Sequence, residues 1–186
     1  MPRAAPFDYA QGRQLGAVRQ RSVGVHFDVF TVRQLEASDR TWATQFLTEE
    51  AGSPRIVSRG VLHHADALPG LVAILNGDLV GLLTYRIEWK DMEVVTLHAR
   101  PQRQGGGSAL LDAAKTTARQ AGCKRLWLIT TNDNQPAIAF YTKRGMRLVA
   151  IHKGAVAESR RIKPEIPLVG VGGIPITDEW EFEIVL

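Results

Sequence analysis

The sequence predicts one α/β domain of the mixed, α+β kind: a central, mostly antiparallel sheet flanked by helices. Three observations carry this. First, "LVAILNGDLVGLLTYRIEW" (Leu71–Trp89) sets two apolar runs around Asn76-Gly77, a pair that tolerates positive φ at both positions and so suits a tight type I′ hairpin. Second, from Arg100 to Ile151 the apolar spacing changes from two to 3.6 and back, twice. That alternation of strand and helix implies parallel strands joined by crossover helices. Third, "ITDEWEFEIVL" at the end sets Ile176, Trp180, Phe182 and Ile184 against acids, as a closing strand would.

The elements follow in order. "VHFDVFTVRQL" reads as a first strand, with apolar alternation at Val25, Phe27 and Val29. Ser38 or Asp39 caps a helix that carries Trp42, Phe46 and Leu47 on one side and stops at Gly52 and Pro54. After the hairpin, "MEVVTLHA" forms a strand that runs into "RPQRQGGGSALL". Leu110, Leu111, Ala114, Ala118 and Ala121 then share one helical face, with Gly122 as a left-handed cap. "KRLWLITT" is a strand. "NDNQPAIAFYTKRG" is a second capped helix, with Asn134 at its start, Pro136 in its first turn and Gly145 after its end. "MRLVAI" is a strand again. The proline- and glycine-rich stretch from His152 to Pro175 reads as a long loop with one helical turn.

Composition narrows the function classes. The chain has 186 residues, 45% apolar and 23% charged, ordinary values for a globular domain. No apolar run approaches the roughly 18 residues that span a bilayer, and the first two dozen residues lack the apolar core of a secretory signal. A membrane partner is therefore not expected. The single cysteine, Cys123, excludes an intrachain disulfide and argues against a metal cluster, so a reducing, cytoplasmic setting and no metal cofactor are the expectation. The net charge of +4 is concentrated in residues 1–24, where Arg3, Arg13, Arg19 and Arg21 face one acid, Asp8. That segment reads as a basic tail ahead of a domain over 25–186. The domain itself is nearly neutral, so a nucleic-acid partner is not expected. An exposed closing strand would let two copies pair as a homodimer.

The three glycines need a reason, because each is up to about 1 kcal/mol worse than alanine in a helix. Between a strand and a helix start, unpaired N–H groups and the helix dipole favour an anion. Gly105, Gly106 and Gly107 would clear side chains from those amides, with Arg100 and Arg103 adding charge; the competing reading is a tight turn alone. The nucleoside-triphosphate loop is excluded, since Gly107 is followed by Ser108-Ala109. The dinucleotide fingerprint is excluded as well, since Leu110 stands where its third glycine belongs.

Gln102-Arg103-Gln104-Gly105-Gly106-Gly107, followed by Ser108-Ala109, does fit Gln/Arg-x-x-Gly-x-Gly/Ala. Here the sequence resembles the GCN5-related N-acetyltransferase (GNAT) superfamily. Downstream, "NQPAIAFYTKRGMRLV" (Asn134–Val149) is similar to that family's Asn-x-x-Ala-x-x-x-Tyr-x-x-x-Gly-Phe motif, with Met146 for the phenylalanine. Two departures stand in the loop: Gly106 replaces a bulky apolar residue, and Arg103 replaces a common glycine. The resemblance implies a sheet whose fourth and fifth strands, parallel to one another, splay apart around acetyl-coenzyme A. It implies an acetyl-CoA-dependent N-acetyltransferase acting on a primary amine by direct attack; a non-catalytic acyl-CoA-binding sensor of the same fold is the alternative.

Residue roles follow from the same resemblance. Gln102 through Ala109 would hold the pyrophosphate, the backbone of Leu97, His98 and Ala99 would meet the thioester and pantetheine arm, and Asn134 would contact that arm or cap its helix. Tyr141 would be the general acid that protonates the departing thiolate, against a plain packing role. For the base, counting back from Gly107 leaves Asp91 and Glu93; Glu93 is named, acting through water. Strand alternation puts Asp91, Glu93, Val95 and Leu97 on one face and His98 on the other. His63, His64 and Arg59 lie on the side where the acceptor, a small molecule or a peptide amine, would arrive.

Overall fold

Asn76 and Gly77 both take positive φ, 54° and 93°, and join β4 (Gly70–Leu75) to β5 (Asp78–Glu88) as the type I′ hairpin requires. The computed structural model describes residues 30–186. The basic segment 1–24 and the strand positions Val25, Phe27 and Val29 lie outside them. The first described strand, β1, is Thr31–Gln34, paired antiparallel with β4. A second turn, at Trp89-Lys90, leads from β5 into β6 (Asp91–Ala99).

Helix α2 runs over Gly106–Gln120, so Gly106 and Gly107 lie in its first turn. It is followed by β7 (Arg125–Thr131), α3 (Gln135–Lys143), β8 (Arg147–His152), α4 (Ala155–Ile162) and β9 (Glu179–Val185). Among the described residues the main sheet has the order β1-β4-β5-β6-β7-β9-β8, and only β6 and β7 are parallel neighbours within it. The mixed, mostly antiparallel sheet is as the sequence implies. Among the described residues no helix is long and apolar enough to cross a membrane.

Each face of the sheet carries its own core. On one, Leu110, Leu111, Ala114 and Ala118 of α2 pack on Leu71, Leu83, Leu126 and Leu128, with Tyr141 and Phe182 in the same cluster. Leu110 and Leu111 are fully buried, each contributing about 2 kcal/mol of transfer free energy. On the other face, Ala43, Phe46 and Leu47 of α1 (Arg40–Ala51) pack on Val72, Leu82 and partly buried Val95.

One element is new and two expectations change. A short hairpin, β2 (Arg55–Ser58) with β3 (Val61–His64), follows α1 and forms its own two-stranded sheet. The C-terminal segment holds two turns of helix, α4, rather than one. The closing strand β9 lies inside the sheet, hydrogen-bonded to β7 on one side and β8 on the other. It therefore has no open edge for a second copy; β8 is the outer strand.

Candidate functional site

The parallel ladder of β6 and β7 is short. Asp91, Met92, Glu93 and Val94 pair with Arg125, Leu126, Trp127 and Leu128. Beyond Val94 and Leu128 both strands continue, β6 to Ala99 and β7 to Thr131, without pairing to each other. A rift opens there. At the same point β6 carries a bulge: Thr84 pairs with Thr96 and Tyr85 with Val94, which leaves Val95 without a cross-strand partner.

That one extra residue reverses the alternation. Val95 joins the α1-side core, whereas Leu97 and Ala99 pack on the α2 side. His98 stands opposite Leu82, on the face of Val95 and Glu93. The expected grouping of Leu97 with Glu93, and of His98 against them, is thus inverted. Backbone direction flips as well. Arg100 donates its N–H to Val80 O at 2.7 Å, and alternate residues of a strand turn their N–H and C=O to opposite neighbours. Thr96 and His98 therefore face β5, while Leu97 and Ala99 present theirs to the rift. Burial lowers the proton affinity of the His98 imidazole, with Glu50 opposing.

The rift ends at the glycine loop, where Gln102, Arg103 and Gln104 are exposed. Arg103 takes φ +64° and Gly105 φ +105°, so Gly105 answers a backbone requirement. Gly106 answers a packing one, since a Cβ there would stand 3.0 Å from Phe30 and 3.2 Å from Ala99. Gly107 answers neither, because its Cβ would meet Phe140 at an ordinary 3.6 Å. The first closed turn of α2 is Ala109 N–H to Gly105 O, 2.9 Å, which leaves the amides of Gly106, Gly107 and Ser108 as the helix's open donors. These suit a diphosphate, and a bare Gly107 keeps the approach to them clear.

Two arginines behave differently from the sequence expectation. Arg100 is paired with Glu49 (2.9 Å) and Glu50 of α1 and lies over the Phe46 ring, so its charge is already matched. Arg144, at the end of α3, donates to Ser108 Oγ and lies 5.8 Å from the Phe140 ring centroid. It brings a cation to the start of α2. The sequence marks Arg144 only as a favourable charge at a helix C-terminus, and nothing in the spacing points to Ser108.

Asn134 caps α3, its side chain accepting from Ala137 N–H at 3.3 Å. Tyr141 is 8% exposed and packs edge-on to Phe140 and against Phe182, with centroids at 5.3 and 6.1 Å. It shares a cluster with Val94 and Leu128, the last pair before the rift. Burial pushes its phenol well above the ordinary tyrosine range, so it stays protonated at neutral pH, as a proton donor must.

Glu93 lies on the other face at the same level, 2% exposed. Its Oε1 accepts from Ser58 Oγ at 2.6 Å and its Oε2 from Arg86 Nε at 2.5 Å. The β2–β3 hairpin therefore closes over it. His63, on the same hairpin, is buried with its Nε2 unpartnered among the described residues; burial lowers its proton affinity, with the Glu93 charge opposing. Counting outward from the Trp89-Lys90 turn would have placed Arg86 opposite Glu93 from sequence alone. Ser58, 35 residues away, carried no such signal. A groove of about 440 Å³ opens beside Glu93, lined among others by Arg86, Asp91, Arg125, Trp127 and Trp89. Asp91 faces Arg125 at 3.5 Å in its wall.

Comparison with known proteins agrees with this geometry. Residues 31–146 match the model of the acetyltransferase (GNAT) family. The Bacillus subtilis (strain 168) protein YdhI, described as uncharacterized, is 41% identical over 144 residues, 77% of this chain and 90% of its own. Among solved structures, the IAA acetyltransferase from Bacillus cereus ATCC 14579 superposes with a TM-score of 0.63 at 18% identity, over 85% of this chain and all of the other. A GNAT family acetyltransferase from Elizabethkingia anophelis, solved with acetyl-CoA bound, gives 0.60 at 19% identity, over 86% and 99%. With the split parallel pair, the glycine-started helix and the family match over the same residues, the chain belongs to the GNAT family of acetyltransferases.

Proposed function

We propose that the protein is an acetyl-CoA-dependent N-acetyltransferase that moves an acetyl group to a primary amine by direct attack. The observation that carries the proposal is the rift between β6 and β7, running from Val94 and Leu128 to the open amides of α2. The amides of Gly106, Gly107 and Ser108, with Arg144, would hold the pyrophosphate. The N–H of Leu97, turned into the rift, would donate to the thioester oxygen as it gains charge. Asn134 would reach the pantetheine arm from its capping position.

The two faces of the sheet divide the proton work. The amine arrives in the groove beside Glu93, and its nitrogen forms a bond to the carbonyl carbon as the carbon–sulfur bond breaks. Each Glu93 oxygen keeps a lone pair beyond the one it uses, so a water in the groove can pass the amine's proton to it. Tyr141, on the opposite face, gives its proton to the departing sulfur and regains one from solvent. One proton leaves the amine and one reaches the thiol. Cys123 is buried, with burial raising its thiol, which favours direct attack over an acyl-cysteine. The acceptor is a small-molecule or peptide amine, and the setting is cytoplasmic, as one buried thiol suits.

The occupied oxygens of Glu93 favour one other reading, a GNAT-fold module that binds an acyl-CoA without turnover. Calorimetry with acetyl-CoA, followed by thiol release over a panel of amines, separates the two. Binding with thiol release supports the enzyme, binding without release supports the sensor, and no binding removes both.

A further inference from the structure

The parity reversal at Val95 is what turns the Leu97 and Ala99 amides to the rift, and an extra residue in a ladder needs something to hold it. Two threonines stand at that place. Thr84 is fully buried and Thr96 is 5% exposed. The Thr84 N–H donates to Thr96 Oγ1 at 3.2 Å, and the two hydroxyl oxygens lie 2.7 Å apart. The backbone of Tyr85, the next residue, donates away from β6, to Pro69 O at 3.0 Å.

We propose that Thr96, with Thr84, is the latch that fixes this bulge, and that Thr96 is a positioning residue for the acyl transfer although it does not face the rift. The Thr84 N–H faces the Thr96 carbonyl across the ladder, and the Thr96 hydroxyl adds a second acceptor and a buried hydroxyl pair with Thr84. Both added contacts exist only while β6 keeps its extra residue, and a buried hydroxyl that loses its partner is disfavoured. Without the Thr96 hydroxyl, the relief is a one-residue slip of β6 along β5. Such a slip restores plain alternation, turns Leu97 and Ala99 toward β5 and leaves Thr96 and His98 facing the rift. Loss of an oxyanion-type donor lowers kcat by about 10²–10³. The pyrophosphate loop, which β6 feeds but does not form, keeps its amides.

This inference rests on the acetyltransferase proposal for its effect on turnover, but its structural half stands alone and is tested first. Amide hydrogen exchange by NMR on the full chain without ligand reads the register. In the wild type, Leu97 and Ala99 exchange fast and Thr96 and His98 slowly. In Thr96→Val the order inverts, with the Leu97 amide slowed at least about tenfold. In Thr96→Ser the wild-type order returns. In kinetics, Thr96→Val lowers kcat about 100-fold while acetyl-CoA affinity stays within about threefold, and Thr96→Ser recovers kcat to within about threefold. An unchanged exchange order in folded Thr96→Val overturns the latch, as does a Thr96→Ser variant impaired like Thr96→Val. Should Thr96→Val fail to fold, Thr84→Val decides: partial protection of Leu97 supports the latch, and wild-type exchange overturns it. An inverted order in a protein whose wild type shows no turnover keeps the latch and removes the enzyme reading.

Discussion

Gly107→Ala separates a phosphate cradle from a tight turn, because the two accounts predict opposite outcomes. Gly107 has ordinary helical φ, and its added Cβ would lie 3.6 and 3.8 Å from Phe140, so the fold accepts it. Alanine is a better helix former than glycine by up to about 1 kcal/mol, which for a domain of this size raises Tm by up to about 2–4 °C. The same methyl group stands in front of the amides of α2. Loss of one charge-assisted bond to a phosphate, about 1.5–3 kcal/mol, weakens acetyl-CoA binding by about 10- to 150-fold. Thermal unfolding and calorimetric titration on the same preparation measure both. Gly105→Ala is the contrast: at φ +105° it strains the backbone by about 1–3 kcal/mol and lowers Tm. A Gly107→Ala variant that is stabilised and binds acetyl-CoA like the wild type would refute the cradle.

Further perturbations address the other groups. Tyr141→Phe keeps the ring packing against Phe182 and removes the proton donor, so kcat falls by about 10²–10⁴ with acetyl-CoA affinity unchanged, as steady-state kinetics and calorimetry would show. Glu93→Gln keeps the side-chain shape and the Ser58 contact but loses the base; kcat drops about 100-fold with acetyl-CoA affinity unchanged, as steady-state kinetics and calorimetry would show. Arg144→Gln removes the cation beside Ser108 and weakens acetyl-CoA binding about tenfold, with a shallower salt dependence, read by titration at two ionic strengths. Asp39 is buried, and its carboxyl is held below the usual range chiefly by hydrogen bonds from Arg33. A depressed folded-state value adds stability above the unfolded value, near 4, that is lost as pH falls through the folded one. Asp39→Asn therefore lowers Tm by about 2–4 °C at pH 7, and the gap to wild type closes as pH drops toward 3.

The part of the molecule from Arg100 to Ile151 was legible because its signals are local. Gly122 and Gly145 take the positive φ their capping positions imply, at 73° and 80°, and Pro136 sits in the first turn of α3. The apolar stripe of α2 is the one found buried, apart from Ala121, which falls past the helix end and is exposed. What stayed hidden depends on register or on distant partners. A bulge adds one residue to "EVVT", a run of strand-forming residues with or without it, yet it moves Leu97 and His98 to opposite faces. The four-residue strands Arg55–Ser58 and Val61–His64 are too short for an alternation to stand out. Their importance lies in Ser58 meeting Glu93, a tertiary contact. The closing strand's alternation was read correctly from Trp180 to Ile184. Its place between β7 and β8 is a matter of topology that no local pattern records.

The most direct measurement is a ¹⁵N NMR titration of the full chain with acetyl-CoA. The account predicts saturable shifts concentrated at the amides of Gly106, Gly107 and Ser108 and at Leu97 and Ala99, with Thr96 and His98 changing little. Binding that leaves those five amides unmoved, or that shifts only residues away from the rift, would contradict it.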